Sequence, residues 1–234
     1  MGSVIKKACA ALITLGYGAS GRLRNLAVVT SLTAGVAAAE ETVIVAFGDS
    51  LTQGYGLAQS DGFVPQLDRF LSEAGVAVDV RNAGVSGDTT AGGLSRVDWT
   101  LTPDVDGMIV ALGANDYLRG LDPTQAQANL AGILERAAML NVPVLLVGID
   151  VGNNFGPDYK AAFATMYAEL SEDFGLPLYP DFMAGLRAAV GDGSLFDLLQ
   201  NDGIHPNAAG VTAIVADLGP EVARFVKQIE TREP

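Results

Sequence analysis

The chain has 234 residues, of which 49% are hydrophobic, and its 14 basic and 27 acidic residues give a net charge of −13. A chain of this length and apolar content can build one substantial core, so we expect one domain rather than two. A protein with this much negative charge binds nucleic acid poorly and is repelled by anionic membrane surfaces.

The first 39 residues differ from the rest because they contain four basic residues, two apolar stretches and no acidic residue. Two arginines precede an apolar run over 26–36, and small residues follow at 37–39, which is the order of a signal peptide and its cleavage site. We predict a signal or targeting segment over 1–39, a single domain over 40–234, and a periplasmic or secreted location. An uncleaved membrane anchor, a helix of the fold and an internal start codon stay open as alternatives.

Removal of that segment leaves ten basic residues against 27 acidic ones, a net charge of −17. The only cysteine, Cys9, would leave with it, so the remaining domain would contain no disulfide. The apolar run is shorter than the ~20 residues that span a bilayer. We therefore expect no stable membrane insertion after the leader is removed, and no nucleic-acid partner.

Beyond the leader, short apolar runs alternate with segments of helical spacing. The runs cover 43–47, 76–80, 108–112, 142–149 and 176–179. Near-continuous apolar strands separated by amphipathic helices are typical of a parallel sheet that is covered on both faces. The pattern predicts an α/β fold, a three-layer α/β/α sandwich. A last helix begins at about Asn207 and is predicted to be interrupted at Gly219 and Pro220.

Polar clusters follow the first three predicted strands and precede the last helix. They cover 48–56, 82–89, 113–116 and 202–205. In a parallel sheet the functional groups collect just past the carboxyl ends of the strands, so we expect these four loops to face one cleft. Three side chains are assigned to bracing the loops: Asp49, Asn82 and Asp88.

The only histidine, His205, lies three residues after Asp202. A serine hydroxyl is a poor nucleophile near neutral pH unless a positioned base takes its proton, and imidazole suits that task best. The spacing puts both side chains on the same side of one turn, so Asp202 can hold Nδ1–H while Nε2 faces Ser50. We predict a catalytic triad of Ser50, Asp202 and His205.

Three donors are available for a tetrahedral oxyanion. Gly87 has no Cβ, so its backbone N–H can approach a substrate oxygen, and Asn115 can direct its amide NH₂ to the same place. With the N–H of Ser50 these residues form the predicted oxyanion hole. Each of them alone also suits a turn or a helix cap, and His205 alone suits a packed histidine; their combination favours catalysis.

Four sequence blocks resemble, in order and at familiar spacing, those of the SGNH, or GDSL, hydrolases: Gly48-Asp49-Ser50-Leu51, Gly87, Asn115 and Asp202-Gly203-Ile204-His205-Pro206. The resemblance covers nearly all of residues 42 to 230. Segments 86–90, 118–120 and 202–207 are most similar to the bacterial secreted arylesterase, acyl-CoA thioesterase and lysophospholipase group.

The resemblance implies a flavodoxin-like five-stranded parallel sheet, with the triad and the oxyanion hole at the residues named above. The chain departs from the family at two places. Ala114 stands where the best-known relatives have glycine, and the segment 148–156 occupies the substrate-lining loop position without a close match. The family's chain-length preference is therefore not carried over.

We predict two-step acyl transfer on a small-molecule ester or acyl thioester, with no metal and no organic cofactor. Expected substrates are aryl esters, lysophospholipids and acyl thioesters. Five loop residues are candidates for binding an apolar acyl chain, although such residues also pack locally: Tyr55, Leu57, Tyr117, Leu121 and Phe155. Two alternatives stay open, a carbohydrate acetylesterase on the same fold and a non-catalytic binding module.

Overall fold

A computed structural model of the protein describes residues 41–191 and 193–232. The leader predicted over 1–39 lies outside these residues. The strands are β1 (Thr42–Gly48), β2 (Val78–Gly84), β3 (Gly107–Ala111), β4 (Val144–Val147) and β5 (Leu178–Tyr179). The α-helices are α1 (Ser50–Gln53), α2 (Phe63–Glu73), α3 (Thr90–Thr100), α4 (Ala114–Leu118), α5 (Pro123–Met139), α6 (Pro157–Phe174), α7 (Ala184–Val190) and α8 (Ala208–Glu230).

The five strands form one parallel sheet in the order β2-β1-β3-β4-β5. This is the strand order of flavodoxin-like folds, in which ligands bind where the order reverses, beside the first and third strands. The predicted α/β fold and the five-stranded parallel sheet are confirmed. The loops after β1, β2 and β3 therefore meet at one edge of the sheet.

Each face of the sheet has its own apolar core. Helices α2, α7 and α8 cover one face, where Leu67, Leu186 and Leu218 are fully buried. Helices α3, α5 and α6 cover the other face, where Leu130 and Phe163 are fully buried. Apolar residues on both sides of the strands explain why the strand sequences are almost continuously hydrophobic.

The second strand begins and ends later than predicted. It spans Val78–Gly84 rather than 76–80, because its parallel pairing with β1 continues as far as the pair Gly48 and Gly84. As the edge strand, β2 can place polar residues such as Asn82 within the ladder. The loop that carries Gly87 is correspondingly shorter. Strands β4 and β5 are also shorter than their apolar runs.

The predicted interruption of the last helix is wrong, since α8 continues from Ala208 to Glu230 with Pro220 inside it. Buried residues on both sides of the proline, such as Leu218 and Val222, hold the two halves on one sheet face. A Cβ at Gly219 would lie 2.6 Å from the Phe70 ring, so the glycine permits close packing of α8 on α2. Within the described ranges, no helix has the length and apolar character needed to cross a membrane.

Candidate active site

The predicted loops line one cavity of about 470 Å³ at the carboxyl ends of the strands. Ser50 comes from the loop after β1, Gly87 from the loop after β2, Asn115 from the loop after β3 and His205 from the loop before α8. Residues that are up to 155 positions apart in sequence therefore face the same space.

Ser50 is the first residue of α1, directly after β1. Asp49 caps this helix, because its Oδ1 accepts a hydrogen bond from the Leu51 N–H at 3.0 Å. The first N–H groups of a helix have no partner within the helix, so the Ser50 N–H is available to a ligand. The turn thus presents a hydroxyl and an N–H donor from one residue.

Ser50, His205 and Asp202 form one hydrogen-bonded chain. The Nε2 atom of His205 is 2.8 Å from the Ser50 hydroxyl, and its Nδ1 atom is 2.6 Å from Oδ2 of Asp202. The other carboxylate oxygen of Asp202 accepts the N–H groups of Ile204 and His205. The imidazole and these N–H groups lower the pKa of Asp202 to about 2. Asp202 is therefore ionised and holds Nδ1–H, so that Nε2 can accept a proton.

A glutamine that the sequence did not single out fixes the histidine loop. The Gln200 N–H donates to the His205 carbonyl at 2.7 Å, and its side-chain amide donates to the carbonyls of Tyr55 and Pro206. The Tyr55 ring lies beside the imidazole, with 4.8 Å between ring centroids. These contacts connect the loop before α8 to the segment that follows α1.

Gly87 has a left-handed backbone with φ of +84°, which an L side chain rarely adopts. Its carbonyl accepts a hydrogen bond from Arg119 at 2.7 Å. Among the described residues, the Gly87 N–H has no hydrogen-bond acceptor. The hydrogen bond to the Gly87 carbonyl therefore fixes the backbone here, and the Gly87 N–H stays available as a donor to a ligand.

Asn115 lies in the first turn of α4, where its Nδ2 donates to Oδ2 of Asp49 at 3.1 Å. An amide nitrogen has two N–H groups, so one more can serve a ligand. Gly113, just before α4, has φ of +127°, and a Cβ there would lie 2.3 Å from the Tyr167 hydroxyl. Ala114, in place of the family's glycine, lines the same cavity as Asn115.

Asp49 is a buried carboxyl, 1% exposed, beside the proposed nucleophile. Burial raises its pKa from 3.8 to about 6, against the lowering effects of the Leu51 N–H, the Asn115 amide and His205. Desolvation disfavours the charged form of a carboxyl, and hydrogen bonds to the carboxylate favour it. Asp49 therefore keeps its charge near neutral pH mainly through its two donors.

Arg96 braces the strand ends beneath the loops. Its guanidinium pairs with Asp88 at 2.6 Å and donates to the carbonyls of Ala83 and Gly48, each at 2.9 Å. It also lies 4.0 Å from the centre of the Phe47 ring. The bracing role predicted for Asp88 thus has a partner that sequence reasoning missed.

The substrate candidates divide into three groups. Tyr55 and Tyr117 line the cavity, whereas Leu121 and Phe155 are exposed and lie outside its lining. Phe155 supports the wall, since its ring packs edge-on against Tyr117 with 5.8 Å between centroids. Leu57 packs against the core and lines a small recess next to the main cavity.

Five large aliphatic or methionine lining residues were not named as substrate candidates: Leu51, Leu118, Ile149, Met183 and Ile204. Four of them had a signal, because Leu51, Leu118 and Ile204 lie inside segments that resemble the family and Ile149 lies at the substrate-lining loop position. Met183 lies just before α7 and had none. In residues 41–191 and 193–232, no group of three or more histidine, cysteine, aspartate or glutamate side chains could hold a metal ion.

A hydroxyl, an imidazole and a carboxylate in series, on a flavodoxin-like sheet, define a hydrolase of the serine class. The sequence model of the GDSL-like lipase/acylhydrolase family matches residues 46–213. The chain belongs to this family and is an enzyme, as the four sequence blocks predicted.

Named relatives agree with that membership. Esterase TesA of Pseudomonas aeruginosa is 37% identical over 184 residues, which are 78% of this chain and 88% of that protein. Thioesterase 1/protease 1/lysophospholipase L1 of Escherichia coli is 36% identical over 173 residues, 73% of this chain and 78% of that protein. Arylesterase of Vibrio mimicus is 31% identical over 210 residues, 88% of this chain and 96% of that protein.

A solved structure agrees with the fold. The crystal structure of AlinE4, an SGNH-hydrolase family esterase, has 42% sequence identity and a TM-score of 0.65. It covers 80% of this chain and 97% of that one.

Proposed function

We propose that this protein is a serine esterase that hydrolyses carboxylic ester or thioester bonds through an acyl-enzyme on Ser50. The observation that carries the proposal is the chain of contacts from Asp202 through His205 to Ser50, at 2.6 and 2.8 Å. Both distances lie within the hydrogen-bonding range that proton transfer requires.

His205 accepts the proton of Ser50 at Nε2 while the hydroxyl oxygen attacks the substrate carbonyl. The protonated imidazole then donates that proton to the leaving alcohol or thiol as the bond to the carbonyl carbon breaks. Water attacks the acyl-enzyme in the same way, and the acid product leaves with the serine hydroxyl restored. Asp202 stabilises the imidazolium in both steps and keeps its own charge.

The negative charge on the substrate oxygen is stabilised by three donors, the N–H groups of Ser50 and Gly87 and the side-chain amide of Asn115. All three residues border one cavity, which supports their joint use. Donors of this kind act strongly because they are already aimed at the place where charge develops.

For the substrate, we propose aryl esters, lysophospholipids and acyl thioesters. The cavity has an apolar wall that includes Tyr117, Ile149 and Met183, which suits an acyl chain better than a sugar. Relatives that carry the names esterase, arylesterase and thioesterase/lysophospholipase support the same range. We also propose that residues 1–39 are a signal peptide and that the enzyme acts in the periplasm or is secreted.

The nucleophile is tested by labelling with a fluorophosphonate probe. The wild-type protein should be labelled stoichiometrically, and Ser50→Ala should not be labelled. Ser95→Ala is a matched control, because Ser95 lies on α3 outside the cavity lining. Absence of labelling in the wild-type protein would favour a non-catalytic binding module.

The substrate class is tested by a kinetic panel of aryl esters, acyl-CoAs and lysophospholipids over increasing acyl length. We expect kcat/KM to be maintained or to rise beyond acetyl, because the apolar wall contacts the longer chain. A steep fall beyond acetyl would favour the carbohydrate acetylesterase instead.

A further inference from the structure

Each oxygen of the Asp49 carboxylate has a separate donor. Oδ1 accepts the Leu51 N–H at 3.0 Å and caps α1, whereas Oδ2 accepts the Asn115 amide at 3.1 Å. The carboxylate is 1% exposed, so water does not compete for either position. A single buried group therefore connects the turn of the nucleophile to the loop that carries the side-chain donor of the oxyanion hole.

The second contact decides which end of the Asn115 amide faces the cavity. A carboxamide has an oxygen and an NH₂ group of similar size, and the two can exchange places by rotation. Ionised Asp49 offers only acceptor atoms, so it selects the orientation in which Nδ2 points toward it. Nδ2 then has one N–H on Asp49 and a second that can reach a substrate oxygen.

We propose that Asp49 is a positioning residue that orients the Asn115 amide as an oxyanion donor, beyond its role as a helix cap. This inference rests on the proposed function, since it needs an oxyanion to form in the cavity. Asp49 acts through Asn115 and does not itself contact the reacting atoms.

Replacement by asparagine separates the two roles. The variant Asp49→Asn has one side-chain oxygen, which the Leu51 N–H still requires. Its NH₂ group then faces Asn115 and favours the rotated amide, which turns an oxygen toward the place where the oxyanion forms. The fold keeps its helix cap, and the oxyanion hole loses a donor.

The test is a double-mutant cycle on a chromogenic ester, with wild type, Asp49→Asn, Asn115→Ala and the double variant. Loss of one oxyanion donor typically lowers turnover ~100-fold to ~1000-fold, which we expect for Asn115→Ala. We expect Asp49→Asn to lower kcat by roughly 10-fold to 100-fold with KM nearly unchanged. The double variant should be no slower than Asn115→Ala within about threefold, because the two residues act as one unit.

The matched control is Asp68→Asn, an exposed residue of α2 outside the cavity lining, which should keep wild-type kcat. Asp49→Ser is the second variant, since a serine oxygen retains the helix cap and lacks the second acceptor. It should give the same pattern if Asp49→Asn does not fold.

Independent losses that multiply in the double variant, or an Asp49→Asn enzyme with normal kcat, would overturn the positioning role. In that case the activity of the wild type and the defect of Asn115→Ala would still support the proposed function. Absence of ester hydrolysis by the wild type would instead remove the proposed function itself.

Discussion

The two carboxylates of the candidate site, Asp49 and Asp202, lie in opposite environments. Asp49 is buried at the junction of β1 and α1, and burial raises its pKa to about 6. Asp202 lies on a loop with 36% of its side chain exposed, and its hydrogen bonds to His205 and two N–H groups lower its pKa to about 2. Two residues of the same type therefore have different pKa values here, because their solvation and hydrogen-bond partners differ.

The surroundings of the two carboxylates differ in the same way. On the Asp49 side, a separate buried network begins at the residue after Asn115: Asp116 accepts the N–H and hydroxyl of Thr90, and Asn129 donates to that hydroxyl. On the Asp202 side, the loop is held in place by the hydrogen bonds of Gln200 and by contacts within the loop itself. The half proposed to hold the oxyanion is braced in the interior, and the half proposed to transfer protons lies closer to the surface.

The largest expected effect is on the surface half. The substitution His205→Ala should lower kcat by ~100,000-fold or more while the thermal midpoint changes little, since the only histidine is the proposed base. Steady-state kinetics and a thermal melt measure the two quantities. A near-normal rate would show that another base operates and would remove the distinction between the halves.

Asp202→Asn should lower kcat ~1000-fold to ~10,000-fold, as loss of the orienting acid does in other Ser-His-Asp enzymes. The amide cannot accept the Nδ1–H and the two backbone N–H groups with one oxygen. A single-turnover measurement should place the loss in acylation. If Asp49→Asn were the slower enzyme of the two, the roles assigned to the two carboxylates would be reversed.

The sequence predicted residues for both halves of the candidate site but not the contacts that hold them in place. The blocks around Ser50 and His205 are local, so spacing alone was informative. Arg96 and Gln200 were missed because each connects its neighbours in sequence to one distant partner, 48 residues away for Arg96 and 145 for Gln200, and no local pattern encodes such contacts. The flavodoxin-like sheet, and with it the strand order, was predicted from the family resemblance and not from local sequence patterns.

The boundaries of elements were less predictable for a related reason. The end of β2 depends on its pairing with β1, and the continuity of α8 through Pro220 depends on packing against the sheet. Local propensity favours a break at a proline, and tertiary contacts override it here.

The two carboxylates should also have opposite effects on stability. The pKa of Asp49 in the folded protein is above its ordinary value of 3.8, so its contribution is full below that value and is lost as pH rises through about 6. The pKa of Asp202 is below 3.8, so its contribution is present above that value and is lost as pH falls through about 2.

Between pH 4 and 7.5, the free energy of unfolding of the wild type should fall by roughly 2 kcal/mol relative to Asp49→Asn. Relative to Asp202→Asn, the free energy of unfolding of the wild type should change little over the same pH range. Urea unfolding at several pH values measures both differences. A flat difference for Asp49→Asn would show that its carboxyl is not held near a pKa of 6.

The smallest expected effect lies on the cavity wall beside the oxyanion half. Phe155 does not line the cavity but packs against Tyr117, which does, so Phe155→Ala should weaken binding of a long acyl chain only. Loss of such a contact is worth about 1 kcal/mol, a roughly fivefold rise in KM for long-chain esters with acetyl esters unaffected. Trp99→Ala, at an exposed aromatic residue outside the cavity lining, is the matched control. A fall in kcat on acetyl esters would mean that the wall also supports Asn115, and the braced half of the site would then extend to Phe155.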